Sequence, residues 1–384
     1  MATQNGLEIV SCSACSTLRG VTARGGDVIL IGEENLRRVV PEIRNIKCGV
    51  LFLQSARSDC ALSLNENCDS AVRRDMWRIF EKLSECDGDV AALLARSPLA
   101  IPVSNGKLVT GTWQGVYAIC HAGCGPLKIS SLLVRSLVPG PGRVVVDAGK
   151  RGVADVSSAV KPAVGDATEG GDAVVVALLL HTSASVTVDA QGEGLEEDLS
   201  RVVPESWNSF LEHTYEGDDD MPGHAKSTLV GANTIIVGSS TRRLWLCEHR
   251  NVGGWGGGHQ RKIALRVVYT SPGRRVRSVD GKAARGCVDI SGVVRAAAGD
   301  APAVLVCPVD PGTTVTQTGL ASGRMSEALQ ALWARTGVTS GVVGPALVGD
   351  YVMVWKDAAR SDNIIWTNFT AAPLVPEVHV IPFA

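Results

Sequence analysis

The chain has 384 residues, of which 45% are hydrophobic and 20% charged, and its formal net charge is −2. No apolar run approaches the roughly 20 residues of a membrane-spanning helix, and no basic stripe interleaved with aromatics marks a nucleic-acid surface. The 11 cysteines are scattered and odd in number, which favours a reducing compartment over a disulfide scaffold, so we expect a cytoplasmic protein that binds neither nucleic acid nor membrane.

Three stretches of the chain repeat one order of predicted elements. Each has an apolar, strand-like run with a polar tail, and an amphipathic helix follows about fourteen residues later. The runs are VLFLQSARSDCALSL at 50–64, VVVALLLHTSASVTV at 174–188 and VLVCPVDPGTTVTQT at 304–318. The apolar positions of the three predicted helices are Val72, Met76, Ile79, Phe80 and Leu83, then Leu195, Leu199 and Val202, then Met325, Leu329, Leu332 and Trp333. Gly337 is a typical helix stop.

The three runs define an internal repeat. When they are aligned, Arg57, His181 and Asp310 share one position, at intervals of 124 and 129 residues. Frequent valine, isoleucine and threonine favour short strands over long helices. These patterns predict an α+β fold that is predominantly β.

The expected boundaries of the copies follow from the same alignment. Joints that contain proline and glycine lie at 138–143 and 271–275. We expect three copies, at residues 5–138, 143–271 and 274–384.

Residue types that bind metals and phosphates are concentrated in the second copy. Its motifs are HTSASVTV at 181–188, HTYEGDDDMPGH at 213–224 and LCEHR at 246–250. The first copy contributes LSLNENCDSAVRRDM at 62–76 and IPVSNGKLVTGTWQGVY at 101–117. Together these motifs resemble the YjbQ-like family, whose members are also called secondary thiamine-phosphate synthases.

The resemblance implies a fold and an assembly. Members of this family are similar to β-sandwiches with helices on the outside, they assemble as trimers, and they are much shorter than this chain. The resemblance therefore implies three tandem YjbQ-like β-sandwich repeats with outer helices, folded as an intramolecular pseudo-trimer. The chain would then be a monomer, with the third copy in a structural role.

The family's motif residues are divided between two copies. The first copy keeps Asn-Glu-Asn at 65–67 but has Arg57 at the position of the strand histidine. The second copy keeps the histidine motifs but has Asp-Ala-Gln at 189–191 in place of Asn-Glu-Asn. The third copy, with Asp310 at the histidine position, keeps neither set. Complementary losses predict one composite site where the first two copies meet, whereas independent decay would leave a pseudoenzyme.

The resemblance implies three groups of site residues. The catalytic group consists of His181, Glu216, His224, Glu66 and Gln114. The substrate-binding group, with cations that neutralise phosphate, consists of Lys226, Arg250, Trp113, Arg74, Asp69 and Ser183. The metal-binding group consists of His181, His224, His249, Asp219 and Asp220.

Two divalent metals fit the metal-binding group. Neutral imidazoles that leave one coordination position open suit zinc and an activated water. Asp219 and Asp220 suit magnesium held against a pyrophosphate. Each residue also has a structural interpretation: the strand histidine as a core residue, the EGDDD segment as a solvated turn, and Trp113 as a core tryptophan rather than a platform for a heterocycle.

Three functions are consistent with these residues. The first is an enzyme on a phosphorylated small molecule, and the resemblance implies a transferase that joins a pyrimidine diphosphate to a thiazole phosphate. The second is a non-catalytic pseudoenzyme or assembly protein. The third is a metal-dependent hydrolase that uses the same residues.

The repeat predicts the size of the particle in solution. Light scattering should give the mass of a single chain, because three like units within one chain can close around a shared axis without further copies. An obligate homotrimer of full-length chains would contradict this expectation.

Overall fold

The computed structural model describes most of the chain. The described residues are 7–94, 98–136, 142–164, 173–188, 192, 194–237, 242–251, 260–270, 273–278, 283–338, 340–358 and 362–383. Residues 137–141 and 271–272, in the joints between the expected copies, lie outside them, as do residues 189–191. No helix within the described residues is long and apolar enough to cross a membrane.

The described residues up to 136 form two antiparallel sheets, which we call the first sheet pair. The strands are β1 (Leu7–Arg24), β2 (Asp27–Ile31), β3 (Cys48–Ser55), β4 (Cys60–Glu66), β5 (Leu99–Ser104), β6 (Lys107–Leu108), β7 (Gln114–Cys120) and β8 (Cys124–Ser136). The order is β1-β8-β3-β5-β6 in the larger sheet and β2-β7-β4 in the smaller one. The helices are α1 (Glu33–Val39), α2 (Ser70–Ser84) and α3 (Val90–Leu94), with a 3-10 helix at Pro41–Asn45.

The second sheet pair follows between residues 142 and 269. The strands are β9 (Gly142–Asp147), β10 (Gly152–Asp155), β11 (Ala173–Leu179), β12 (Ala184–Val188), β13 (Asn233–Val237), β14 (Leu244–Glu248) and β15 (Gln260–Tyr269). The larger sheet has the order β13-β11-β15-β9 and the smaller one β10-β14-β12. The helices are α4 (Ser157–Val164), α5 (Leu195–Val202) and α6 (Asp220–Val230), with a 3-10 helix at Glu205–Phe210.

The third sheet pair follows from residue 274. The strands are β16 (Arg274–Arg277), β17 (Gly286–Asp289), β18 (Ala303–Pro308), β19 (Thr313–Thr318), β20 (Val352–Trp355), β21 (Asn363–Asn368) and β22 (Glu377–Phe383). The larger sheet has the order β16-β22-β18-β20 and the smaller one β17-β21-β19. The helices are α7 (Ser291–Ala298), α8 (Ser322–Thr336) and α9 (Ser340–Val348). Overall, the protein is mostly β-sheet with several helices.

The strand orders of the three pairs correspond. In the larger sheets, β1-β8-β3-β5 matches β9-β15-β11-β13 and β16-β22-β18-β20. In the smaller sheets, β2-β7-β4 matches β10-β14-β12 and β17-β21-β19. Each strand of the first pair except β6 therefore has a counterpart at the same place in the other two pairs.

Each apolar run seen in the sequence contains two strands rather than one. Residues 50–64 hold most of β3 and β4, and the other two runs hold β11 with β12 and β18 with β19. The two strands of a run lie in different sheets of one pair, so the polar segment between them is the crossing from sheet to sheet. Periodicity does not separate two buried strands that follow one another closely.

The strands β3, β11 and β18 of the larger sheets are buried on both faces. Along β3, Leu51 and Leu53 pack between the two sheets of the first pair, whereas Val50 and Phe52 pack into a core that the larger sheets of all three pairs share. β11 and β18 alternate in the same way. Successive side chains of a strand point to opposite faces, so burial of both faces requires an unbroken apolar run.

The helices α2, α3, α5, α6, α8 and α9 pack on the smaller sheets and contact one another. The predicted helices are confirmed as α2, α5 and α8, and Gly337 ends α8 with a left-handed φ of 66°. Their apolar faces share one buried cluster with α3, α6 and α9. Contacts between different pairs include α2 with α6, α3 with α8, and α5 with α9. Helix packing therefore joins the pairs on the side of the smaller sheets.

The shared core predicts coupling between the first and third sheet pairs. Phe52 and Phe383 are fully buried, with ring centroids 5.3 Å apart. Phe52→Ala should lower the free energy of unfolding by about 3–5 kcal/mol in urea titrations, because a large cavity forms. The exposed Phe210→Ala is the control and should change it by less than about 1 kcal/mol. Strictly additive losses in the Phe52→Ala, Phe383→Ala double variant would argue against direct packing, since contacting residues couple.

Candidate functional site

Three side chains with metal-ligand atoms converge between the first and second sheet pairs. Glu66 ends β4, His213 follows the 3-10 helix at Glu205–Phe210, and His224 lies in α6. One ligand atom of each lies within 4.8 Å of the others. A Glu66 carboxylate oxygen lies 3.3 Å from Nε2 of His224, and the two imidazole rings meet edge to face with centroids 5.2 Å apart. We call these residues the Glu-His-His cluster.

Hydrogen bonds from the first sheet pair set the tautomers of both histidines. Nδ1 of His224 lies 2.8 Å from Oδ1 of Asn65, and Nδ1 of His213 lies 2.7 Å from a carboxylate oxygen of Asp69. Both partners are acceptors, so each Nδ1 carries the proton and each Nε2 keeps its lone pair. The Asn65 amide is oriented because its Nδ2 donates to the carbonyl of His224 and to Thr228. Both Nε2 atoms can therefore bind a metal ion.

A buried carboxylate of α2 holds the loop that carries His213. Asp75 is fully buried and accepts from the backbone N–H groups of Glu212 and His213, each at 2.7 Å. Its other oxygen accepts from Arg78 at 2.9 Å. These bonds satisfy a charge that would be costly to bury unpaired. The loop of the second pair is therefore tied to a helix of the first.

Asp220 lies beside the Glu-His-His cluster. Its carboxylate oxygens are 3.4 Å from Nε2 of His213 and 3.6 Å from Nε2 of His224. Burial acts to raise the pKa of Asp220, but His224, Arg250 and His213 hold that pKa below its ordinary value. When both imidazoles are neutral, their Nε2 lone pairs and this ionised carboxylate can bind one cation together.

Arg250 is committed to the acidic turn at 216–220. Its Nε donates to Asp219 at 2.8 Å, one terminal nitrogen donates to Asp220 at 2.5 Å, and the other donates to the carbonyl of Glu216 at 2.9 Å. Asp219 and Asp220 are buried, so the interpretation of EGDDD as a solvated turn is wrong for these two carboxylates. Arg250 therefore shapes the turn and is not free to bind a phosphate.

Lys226 and His249 belong to a separate buried network. Lys226 donates to Glu196 at 2.8 Å and to Ser200 at 2.9 Å, and its side chain is fully buried. Nδ1 of His249 lies 2.8 Å from Glu196, and its Nε2 lies 2.8 Å from Oγ of Ser185. Burial acts to raise the pKa of Glu196, but His249 and Lys226 hold it at about 2. This network lies within the second sheet pair and uses both ring nitrogens of His249.

Gln114 of the first sheet pair holds the segment that carries His181. Its Nε2 donates to the carbonyls of His181 at 2.6 Å and Leu179 at 3.0 Å. The backbone N–H of Ser183 donates to Nδ1 of His181 at 3.2 Å, so Nε2 carries the proton. Burial, and then the positive charge of Arg261 and other neighbours, lowers the pKa of His181 to about 3. At neutral pH this imidazole is a neutral hydrogen-bond donor.

Two aromatic side chains and one predicted cation lie at the surface near these groups. Trp113 precedes Gln114 and is 60% exposed, so its interpretation as a core residue is wrong. Tyr215 is 81% exposed, and its ring meets the His213 ring edge-on at 5.6 Å. Arg74 is exposed and pairs with Glu212 at 2.6 Å.

The structure brings some of the predicted site residues together and separates others. Glu66, His224 and Asp220 meet, and Asp69 and Gln114 support the site through their hydrogen bonds. The predicted three-histidine group does not form, because His249 is fully engaged with Glu196 and Ser185. Asp219 is held by Arg250 instead of facing the cluster.

The predicted groups also omit His213, which is one of the three converging residues. Its motif, HTYEG, was visible in the sequence. The missing signal is three-dimensional: Asp69, 144 residues earlier, holds its ring, and Asp75, 138 residues earlier, holds its backbone. A hydrogen bond between such distant residues leaves no trace in the spacing of one sequence.

Comparisons with known proteins agree on one family. A family model described as UPF0047 protein YjbQ-like matches residues 18–126 and 143–268. UPF0047 protein YjbQ of Salmonella typhimurium is 38% identical over 89 residues, which are 20% of this chain and 63% of that protein. UPF0047 protein YugU of Bacillus subtilis is 30% identical over 84 residues, 19% of this chain and 64% of that protein. These matches span less than two thirds of either relative.

Two solved structures are also similar to parts of this chain. A YbjQ-like protein of unknown function from Sulfolobus solfataricus has 18% identity and a TM-score of 0.28, and it covers 34% of this chain and 99% of its own. A yjbq/upf0047 family protein from Clostridium acetobutylicum has 25% identity and a TM-score of 0.26, with 29% and 97% covered.

The depressed pKa of His181 predicts how stability varies with pH. The pKa is about 3 in the folded protein, against roughly 6.5 for an unfolded histidine. Between these values the unfolded state binds a proton that the folded state does not, so His181 lowers the free energy of unfolding as pH falls below 6.5. Urea titrations at pH 7 and pH 5 should show a smaller difference for His181→Asn than for wild type. His121→Asn is the matched control, and equal differences for wild type and His181→Asn would contradict the assignment.

Proposed function

Because the chain belongs to the YjbQ-like UPF0047 family and matches its model in two segments, we propose that these segments form one composite site. At this site the protein acts as a metal-dependent enzyme on a phosphorylated small molecule, and hydrolysis is the reaction that the side chains support best. The observation that carries the proposal is the Glu-His-His cluster, to which the first segment supplies Glu66 and the second supplies His213 and His224.

The proposal includes an architecture. The chain consists of three tandem YjbQ-like units, at 5–138, 143–271 and 274–384, which form an intramolecular pseudo-trimer and need no further copy. The corresponding strand orders of the three sheet pairs support it, as does the core shared by their larger sheets. The third unit holds Asp310 and Asn368 where the second has His181 and Glu248, and its role is structural.

The donor set of the cluster fits zinc. Two imidazole nitrogens and one carboxylate are a common protein contribution to a catalytic zinc site that keeps one position open. Each histidine gives its other ring N–H to an oxygen of the first unit, Asn65 or Asp69, which is the usual outer arrangement around zinc. Bound there, zinc would supply an activated water and a Lewis acid.

Hydrolysis is favoured over the joining of a pyrimidine diphosphate to a thiazole phosphate, because two expected phosphate ligands are occupied. Lys226 is fully buried against Glu196 and Ser200, and Arg250 is bonded to Asp219, Asp220 and Glu216. A transferase for two phosphorylated substrates would need several free cations. The resemblance to secondary thiamine-phosphate synthases therefore receives little support from these side chains.

A phosphate can instead be bound at α2, where Arg74 is exposed and its surface ion pair with Glu212 is weak enough to exchange for a phosphate. A cavity of about 430 Å³ is lined by Ser70, Arg73, Arg74 and Trp77 among others. Ser70, which lines this cavity, directly follows Asp69. Asp69 caps α2 and accepts a hydrogen bond from His213, so the cavity lies next to a residue that orients the Glu-His-His cluster. Arginine suits a phosphate because its planar donors form paired hydrogen bonds. The neutral His181 would donate from Nε2 to a substrate oxygen.

Metal analysis tests the cluster directly. Purified wild-type protein should contain about one zinc ion per chain. Glu66→Gln and His224→Ala should each lose it, and Asn65→Ala, a positioning change, should weaken zinc binding by about 10- to 100-fold. Glu85→Gln and His121→Ala are controls with the same residue types outside the cluster. Absence of any bound or required metal in wild type would overturn the metal-dependent function.

Activity assays separate hydrolysis from the alternatives. Phosphate release should be measured with a panel of phosphate monoesters, and transfer with a pyrimidine diphosphate and a thiazole phosphate. Glu66→Gln and His224→Ala should each reduce hydrolysis at least about 100-fold, and the double variant should be no worse, because the two residues act as a unit. Transfer without hydrolysis would favour the synthase-like alternative, and additive losses would refute the composite site.

A further inference from the structure

Two cysteines face each other across the smaller sheet of the first sheet pair. Cys60 begins β4 and Cys120 ends β7, and the register of the two strands places them directly opposite. Both are buried, and their Sγ atoms lie 2.6 Å apart. Neither residue belongs to the Glu-His-His cluster or to its hydrogen-bond partners.

The backbone pattern shows that this is the type of pair that a disulfide can bridge. The N–H of His121 donates to the carbonyl of Asp59 at 2.9 Å, so Asp59 and His121 are a hydrogen-bonded pair. Hydrogen-bonded and non-hydrogen-bonded pairs alternate along an antiparallel ladder, and side chains approach most closely in the latter. Cys60 and Cys120, one step further along the ladder, therefore occupy a non-hydrogen-bonded pair, where facing Cα atoms lie about 4.5 Å apart, a separation that a disulfide can span.

The counterpart positions of the other two sheet pairs lack this feature. There, Ala184 faces Glu248 and Thr313 faces Asn368. The facing thiols are thus specific to the first pair. The same two strands end in Glu66 and Gln114, which also face each other and which contact the second sheet pair.

We propose that Cys60 and Cys120 form a disulfide that ties β4 to β7. The proposal does not depend on the proposed function. The bond forms by exchange with a low-molecular-weight disulfide: one cysteine thiolate attacks it and releases one small thiol, and the second cysteine thiolate then displaces the other. The two cysteines lose two electrons in total, the small disulfide gains them, and the two thiol protons leave with the released small thiols.

The exchange takes place while the chain folds and not in the folded protein. The hydrogen bond from Cys60, together with burial, raises the pKa of the Cys120 thiol. The thiolate is the reactive form, so the reduced pair of the folded protein reacts slowly with oxidants. A crosslink made before β4 and β7 close would afterwards be protected by the sheet and by the core that covers it.

Thiol counting tests the proposal on the full chain. The protein is refolded with oxidised glutathione, denatured without reductant in excess N-ethylmaleimide, and weighed by mass spectrometry. Two fewer labels than the 11 cysteines are expected, and all 11 should be labelled once the unfolded chain has been reduced. Labelling of all 11 without reduction would overturn the proposal.

Peptide mapping identifies the pair, with two exposed cysteines as matched controls. Cys68 and Cys124 lie near Cys60 and Cys120 in the sequence and are exposed. Fragment spectra of the wild-type crosslink should assign it to Cys60 and Cys120, and Cys68→Ser and Cys124→Ser should retain it. A crosslink assigned to any other pair would overturn the proposal. Because the mapping uses the wild-type protein, this result does not depend on whether a variant at Cys60 folds.

Unfolding provides a second measurement. In wild type, reduction should raise the unfolding equilibrium constant by about 30- to 1,000-fold, because a disulfide restricts the unfolded chain. The Cys60→Ala, Cys120→Ala double variant should show no such response to reductant. An equal response in both proteins would refute the crosslink between these residues.

Discussion

The site depends on hydrogen bonds that buried groups of the first sheet pair make to histidines of the second. Asn65, at the end of β4, takes the ring N–H of His224 and donates to its backbone. Asp75, in α2, accepts hydrogen bonds from the backbone N–H groups of Glu212 and His213. A buried carboxylate or amide that loses such partners pays its full desolvation penalty, so the two pairs are held in one relative position. The direction of the two Nε2 lone pairs follows from that position.

The buried charges of the second sheet pair form two networks with different roles. Arg250 binds the acidic turn and holds Asp220 next to the histidines of the cluster, whereas Lys226 neutralises the charge of Glu196 next to His249. Both cations are charge-paired because an isolated ion in the interior is strongly unfavourable. A residue type that binds phosphate when exposed therefore becomes a structural partner when it is enclosed. This distinction separates the proposed hydrolytic site from a site for two phosphorylated substrates.

Complementary loss of motifs has a physical counterpart in this arrangement. Glu66 and Gln114 end two neighbouring strands of the first pair, and both reach residues of the second. At the counterpart position of Glu66, the second copy has Ala190, which lies outside the described residues. If only one junction carries a complete set of groups, the other junctions are free to change as long as their apolar packing is preserved. The shared core and the helix cluster impose that packing on all three pairs.

The sequence by itself determined three of the helices, the family and two residues of the Glu-His-His cluster, Glu66 and His224. Apolar spacing predicted α2, α5 and α8, because one buried helical face requires apolar residues every three or four positions. The motifs identified Glu66 and His224 as candidate site residues, because a family motif is recognised from the order of its residue types along the chain alone. Two consecutive strands inside one apolar run were not separated, since burial of both faces removes the alternation that marks a strand.

Only the tertiary structure decided which motif residues act together. It added His213 to Glu66 and His224, and it moved His249, Lys226 and Arg250 into supporting networks. The physical reason is that a side chain's role depends on the partner it meets, and those partners lie on other elements far along the chain. Local spacing specifies which face of a helix or strand a residue occupies, but the packing of sheets and helices specifies what that face meets.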